Sequence, residues 1–226
     1  MSPPLSPDLA LSHDAGDFDR FDAQGYLVLP NAVPAGWIAP LCAAFDAGVL
    51  PWDRWPVPRG RDWVHAAVDL DPHVQRVCCL PALLSTVRHR LGGPFFLSQV
   101  EGREPLAGNA LQPLHRDGAG CGGQIMSAMV WLDPYDAANG ATQIVAGSHL
   151  DDRQGGAPLV LSGAAGDILV FDPEVLHGAT TNLSGARRRR SLLLSYAVTT
   201  LRASHRQTEA LRHVRMDTTK TFGATV

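Results

Sequence analysis

His115-Arg116-Asp117 sets an imidazole and a carboxylate two residues apart. On extended backbone, residues i and i+2 face the same way, so both side chains can reach one ion. A third candidate, His177, follows the apolar run Asp167-Ile168-Leu169-Val170-Phe171 across the turn Asp172-Pro173-Glu174. Two neutral imidazoles and one carboxylate on one face of an octahedral ion leave neighbouring positions open. That donor set suits mononuclear non-haem iron(II) chemistry with oxygen. The triplet by itself is a weak signal. With nine histidines and 18 aspartates in 226 residues, chance supplies about 0.7 His-x-Asp matches. The weight must come from the surroundings.

A metal site of this kind needs strands to hold it. From residue 95 onward, short apolar runs alternate with Gly, Asn, Asp and Pro clusters, at 95–100, 125–132, 142–145, 157–161, 167–171 and 191–198. Six strands at this spacing predict a β-sandwich or barrel. Asn139-Gly140 marks a tight turn between two of them. Upstream, residues 18–24 predict a short helix closed by Gly25, and 26–29 a strand ended by Pro30. Residues 34–47 predict a helix with Trp37, Ile38, Leu41 and Phe45 on one face. Pro51, Pro56 and Pro58, with Trp52 and Trp55, predict an irregular segment that could cover a site. Residues 72–91 read as helical with a break at Pro81 and a stop at Gly92-Gly93. The fold class is therefore mainly β with flanking helices. The expected organisation is one catalytic domain over 1–226: an N-terminal arm (1–16), a helical part (17–94), a β core (95–201) and a polar tail (202–226) with one helix around 208–214.

Four ordered segments resemble the phytanoyl-CoA dioxygenase (PhyH) family, especially its natural-product-tailoring branch. The first is Leu111-Gln112-Pro113-Leu114-His115-Arg116-Asp117. The second is Trp131-Leu132-Asp133. The third is Asn139-Gly140-Ala141-Thr142, continuing to Gly147-Ser148-His149. The fourth is Gly166-Asp167 with His177-Gly178 and Asn182-Leu183-Ser184. The resemblance runs from about residue 95 to 198. It departs from the family pattern at Ala146, where proline is usual. It implies a double-stranded β-helix (jelly-roll, cupin-like) core with the N-terminal helices packed on one sheet. It also implies Fe(II) on His115, Asp117 and His177, with 2-oxoglutarate and O2 as co-substrates.

The family supplies an arginine for the far carboxylate of 2-oxoglutarate from the strand after the second histidine. Here Arg187-Arg188-Arg189-Arg190 stands in that place, ahead of Ser191. Alignment of the following strand selects Arg189, with Arg188 as the alternative. The plain reading of such a run, a solvated basic edge, is expected for at least two of the four. Gln112 and Thr142 match family positions that help hold 2-oxoglutarate, and an amide and a hydroxyl suit its oxygens. Thr142 could equally be an ordinary strand residue. His149 reads as a loop buttress, and Cys121 as a small packed thiol. Met129 and Trp131 share a strand face and line either a pocket or the core.

The implied function is oxidation, chiefly hydroxylation, of an unactivated C–H of a small organic substrate, with release of succinate and CO2. Secondary metabolites are the substrates that the tailoring branch suggests. Asp117 argues against halogenation, because related halogenases replace this carboxylate with a small residue so that chloride can bind. Two alternatives stay open: a cupin-like isomerase or dioxygenase that does not use 2-oxoglutarate, and a non-catalytic binding relative. Composition excludes other classes. Hydrophobic residues make up 45% and charged residues 18%, with a net charge of −3, so nothing points to nucleic acid or an anionic membrane. No apolar run approaches the roughly 18 residues of a membrane span, and the N-terminus lacks a signal-peptide pattern. Cys42, Cys78, Cys79 and Cys121 form no C-x-x-C pair, which predicts a reduced, cytoplasmic protein. No sequence pattern encodes the oligomeric state.

Overall fold

The computed structural model describes residues 16–117, 120–150 and 156–223. The expected arm over 1–16 lies, except for Gly16, outside the described residues. The first helix, α1 (Asp17–Gln24), ends at Gly25, whose φ of 79° permits its N–H to cap the Phe21 carbonyl. Strand β1 (Tyr26–Leu29) follows, then α2 (Ala35–Gly48), which buries Leu41 and Phe45. Next come β2 (Val49–Leu50), a single 3-10 turn at Trp52–Arg54, and β3 (Trp63–Ala66). The 72–91 segment does break at Pro81, giving α3 (Pro72–Val77) and α4 (Pro81–Leu91), with Gly92 as the left-handed stop. Asp71 caps α3 by accepting from the N–H groups of His73 and Val74.

The second half is strands: β4 (Phe95–Pro105), β5 (Gln112–His115), β6 (Ile125–Trp131), β7 (Thr142–Ile144), β8 (Leu159–Val160), β9 (Ile168–Phe171), β10 (His177–Ala179) and β11 (Ser191–Val198). They form two antiparallel sheets. The larger has the order β1-β9-β6-β11-β4-β3-β2 and the smaller β5-β10-β7-β8. The smaller sheet faces the inner side of the larger one, and the helices cover the outer side. This is the mainly β, double-stranded β-helix architecture expected, with N-terminal helices on one sheet.

Strand alternation explains the layering. On β11, Leu192, Leu194 and Tyr196 belong to the core shared with Phe21, Leu41, Phe45, Leu83 and Val87 of the helices. The intervening Ser191, Leu193, Ser195 and Ala197 face the space between the sheets, where they line cavities. On β9, Ile168 and Val170 face the helices while Leu169 and Phe171 join a smaller core with Trp131, Tyr135 and Ile144. Of the Met129 and Trp131 pair, Trp131 is therefore core, stacked on Tyr135 at 4.6 Å, and only Met129 reaches a cavity.

One expectation fails. No helix spans 208–214; instead α5 (Arg202–Arg206) comes earlier and 207–213 is turn. The His205 carbonyl, which a continuing helix would offer to residue 209, accepts from the Thr208 N–H and hydroxyl. Among the described residues no helix is long and apolar enough to cross a membrane.

Candidate metal centre

His115 ends β5 and His177 begins β10, and the two are direct partners across that antiparallel pair. Their rings lie 4.5 Å apart. Asp117 stands just past β5. Its Oδ1 is 3.3 Å from His115 Nε2 and its Oδ2 is 3.4 Å from His177 Nε2. One ligand atom from each of the three lies within 4.8 Å of the other two. The imidazoles are oriented alike. His115 Nδ1 donates to the Pro113 carbonyl at 2.9 Å, and His177 Nδ1 to the Val175 carbonyl at 3.0 Å. A carbonyl can only accept, so Nδ1 carries a proton in both rings and each Nε2 faces Asp117, donating to the carboxylate when protonated and free to ligate a metal when not. Hydrogen bonds from both histidines hold the Asp117 carboxyl well below the usual carboxylate range. The bond to Asp117 raises His115.

The residue between His115 and Asp117 has a structural task. Arg116 Nη1 donates to the carbonyls of Ser148 (2.7 Å) and Glu174, and the Asp117 N–H donates to the Pro173 carbonyl at 3.0 Å. The 115–117 segment is thus tied to the Gly147-Ser148-His149 turn and to the turn preceding His177. Asp172 in that turn is fully buried and accepts from Arg90 Nε at 2.7 Å. His149 is the buttress expected. Its ring packs where a Cβ on Gly25 would come within 2.5 Å, and its Nε2 lies 3.1 Å from the Asp22 carbonyl.

Gln112, His115, Asp117, Thr142, His177 and Arg189 all line one narrow slot between the sheets. The four-arginine run sorts cleanly. Arg187 pairs with Asp136, Arg188 with Glu104 and Asp46, and Arg190 with Asp133 and Asp46. Arg189 alone turns inward. It is 1% exposed, and its Nε and Nη1 are buried without a hydrogen-bond partner. Its guanidinium carbon lies 4.8 Å from the Tyr135 ring and 5.5 Å from that of Trp63. Burial lowers its pKa, yet an arginine remains a cation. Thr142 is buried, with its hydroxyl 3.6 Å from Met129 Sδ. The Asn182 motif explains the presentation of the run. Its side chain donates to the Arg187 carbonyl and accepts from the Ser184 hydroxyl, closing the turn from which Arg189 enters.

A family comparison matches the phytanoyl-CoA dioxygenase (PhyH) family over residues 21–190, more than half of the chain. The chain belongs to the phytanoyl-CoA dioxygenase family. Among curated proteins, it is 30% identical over 124 residues to the dioxygenase FrzG of Cladobotryum sp.. That stretch is 45% of this chain and 40% of FrzG, so the chain matches well under half of that relative. Solved structures with the same fold include the epimerase SnoN in complex with Fe3+, alpha-ketoglutarate and nogalamycin RO. Its TM-score is 0.67 at 22% identity, covering 81% of this chain and 83% of that one. Another is HygX from Streptomyces hygroscopicus with nickel and 2-oxoglutarate bound. Its TM-score is 0.70 at 17% identity, covering 83% and 88%. At these identities the likeness establishes the fold.

Three residues around the slot of this family member have no local sequence signal. Trp63 sits on β3, a strand that periodicity does not mark, and Arg103 and Tyr135 look like ordinary strand and loop residues. Gly178 is a fourth case, because the His-Gly motif contains it without revealing its task. A Cβ there would lie 2.5 Å from the Gln112 carbonyl and 3.0 Å from that of Pro113. Glycine therefore allows β5 to close on β10 and brings His115 opposite His177. Gly178→Ala should push β5 outward. We expect a stability loss of about 1–3 kcal/mol, read by urea unfolding, and at least about a tenfold loss of iron(II) affinity by calorimetry. Unchanged metal affinity would remove Gly178 from the centre's design.

Proposed function

We propose that the protein is an Fe(II)- and 2-oxoglutarate-dependent dioxygenase that hydroxylates a C–H of a small organic substrate, with His115, Asp117 and His177 as the metal ligands. The observation that carries this reading is Arg189, a buried cation with two unpartnered nitrogens in the same slot as the triad. An uncompensated buried charge is costly to folding. It is understandable if an acid arrives to meet it. The planar fork of arginine suits a carboxylate bidentately.

The donor set fits the metal as well. Two neutral imidazoles with defined tautomers and one ionised carboxylate are the donors that iron(II) takes in such enzymes. When bound, iron with 2-oxoglutarate and dioxygen supplies an oxidant able to attack an unactivated C–H, with succinate and CO2 as co-products. The protein's own residues orient and exclude. Arg189 grips the far carboxylate of 2-oxoglutarate. Gln112 and Thr142 offer an amide and a hydroxyl along its length. Tyr135 and Trp63 wall off water around the guanidinium. Arg116 holds the ligand segment still. The family membership supports this reading, and the metal and 2-oxoglutarate named for SnoN and HygX agree with it. Arg189 has no carboxylate partner among the described residues, which disfavours the variant that dispenses with 2-oxoglutarate.

The test is anaerobic titration of the apoprotein with iron(II), then 2-oxoglutarate. A visible charge-transfer band should appear at one equivalent of each, and air should then yield succinate. No band and no succinate would overturn the proposal. Product analysis decides the outcome. Gain of one oxygen supports hydroxylation, whereas an isomeric or dehydrogenated product would replace it with epimerisation, cyclisation or desaturation.

A further inference from the structure

A second, larger cavity of about 530 Å³ adjoins the slot, and Arg103, Asp117 and Leu193 line both. The inward face of β11 runs through the two spaces in order: Ser191 and Leu193 in the slot, then Leu193, Ser195 and Ala197 in the cavity. The outer wall is the segment after β11, with Leu201, His205, Thr208 and Arg212. Here the early end of α5 has its consequence, because the 207–213 turn brings Arg212 back over the sheet.

Arg212 is a positioned, partly buried cation. Its Nη1 donates to Gln99 Oε1 at 3.0 Å, its Nε to Thr208 Oγ1 at 3.2 Å and its Nη2 to the His205 carbonyl at 3.2 Å. All three acceptors are neutral, and among the described residues no carboxylate lies within ion-pair distance of it. Glu209, the acid that most affects it, is engaged by His205 Nδ1 at 3.1 Å and by the Thr218 hydroxyl at 2.6 Å. The one buried acid of the wall, Glu101, is shared by two arginines: Arg59 at 2.8 Å, and Arg103. Burial alone would raise its carboxyl, but Arg103, His65 and Arg59 outweigh that and hold it at about 2. Of the lining's two acids, Glu101 is neutralised by its arginines and Asp117 lies at the triad, so Arg212 is the charge left at the far end of the cavity. Between the charges it is apolar, with Ile125, Leu193, Ala197 and Leu201. Ser127 and Ser195, direct neighbours across β6 and β11, add hydroxyls to the same face.

Arg212 is distinct from the co-substrate anchor. It clamps Gln99, the register partner of Ser195. Ser195 is six residues from Arg189, about 20 Å along extended chain. One cation stands at each end of a run of continuous lining.

We infer that the larger cavity is the substrate site and that its substrate is a small amphipathic carboxylic acid, with its carboxylate on Arg212 and its apolar body against Ile125, Leu193 and Leu201. This rests on the proposed function for the word substrate, but the acid site itself depends only on the protein. Arg212 then determines specificity by rejecting neutral analogues, which would leave its charge facing an amide.

The experiment uses matched acid and amide probes: benzoate with benzamide, cinnamate with cinnamamide, and indole-3-acetate with indole-3-acetamide. Each is titrated calorimetrically, without oxygen, into protein saturated with iron(II) and 2-oxoglutarate, so that Arg189 is already occupied. At least one acid should bind about tenfold or more tighter than its amide. Arg212→Gln should erase that preference, Arg212→Lys should keep part of it, and Arg206→Gln, on the exposed side of α5, should leave it intact. Equal binding of acids and amides, no binding by any acid, or a preference surviving in Arg212→Gln would overturn the inference. Failure of the proposed function shows separately, as a missing charge-transfer band before any probe is added. The acid preference is then measured on metal-free Arg189→Met protein and on its Arg212→Gln double variant, and only the first should keep it.

Discussion

Asp117→Ala is expected to abolish one-to-one iron(II) binding and to lower succinate release by about a thousandfold, equivalent to about 4 kcal/mol of lost stabilisation. Asp117 is the hinge of the triad: each of its oxygens faces one Nε2, at 3.3 and 3.4 Å. Without it two imidazoles remain, still oriented by the Pro113 and Val175 carbonyls, but the anionic donor that offsets the metal's charge is gone. The fold should survive. The side chain is half-exposed, and the bond from its N–H to the Pro173 carbonyl is a backbone one that alanine keeps. The diagnostic measurement is therefore the melting temperature with and without metal. A ligand at a hundred times its Kd stabilises the native state by about 2.7 kcal/mol. Wild-type protein should show that rise with iron(II), and Asp117→Ala should not, while their metal-free melting temperatures agree. A variant that still gains stability from iron would mean the metal is held elsewhere.

Arg189→Met should raise the dissociation constant for 2-oxoglutarate by about a hundredfold, or about 3 kcal/mol, while leaving the protein as stable as before or more so. The two effects pull apart because of where the charge sits. Arg189 is 1% exposed, has no carboxylate within ion-pair reach among the described residues, and leaves two nitrogens unpartnered. The faces of Tyr135 and Trp63 compensate only in part. Replacing a buried ion pair by apolar side chains of similar size is often neutral or stabilising by about 1–4 kcal/mol, and a buried cation outside any ion pair has less Coulombic gain to lose. Arg188→Met, one residue away, should do the opposite. It breaks the bonds to Glu104 at 2.6 and 2.9 Å, so stability should fall, and 2-oxoglutarate affinity should hold. Calorimetric titration and urea unfolding of both variants check the pair. A loss of affinity in Arg188→Met equal to that in Arg189→Met would dismiss the assignment.

The two neighbouring arginines also separate what is local in the sequence from what is not. The side-chain period of extended chain puts His115 and Asp117 on one face whatever else the protein does, and a turn after an apolar run delivers His177 to a strand end. Turn signals and apolar runs likewise mark most of the β core, because a strand's alternation is local to its own residues. The inward register of Arg189 follows from the same period-two logic, through Ser191.

Other features depend on residues far apart in the chain. Nothing local distinguishes Arg189 from its neighbours by partner. Asp46, Glu104, Asp133 and Asp136 come from other elements, and only their arrival leaves one arginine uncompensated. Strand β3 is illegible because Trp63-Val64-His65-Ala66 has no apolar alternation and is held extended by its pairing with β4 and β2. The tail misleads for a related reason: its helical pattern is sound locally, but Thr208 takes the His205 carbonyl and Arg212 finds Gln99 on β4. By itself the sequence determined which donors are candidates and most of the strands of the larger sheet, while β5 and β10, which carry the two histidines, appear only in the structure. Only the tertiary structure decided which cations lack a counter-charge, because charge compensation is settled by neighbours in space.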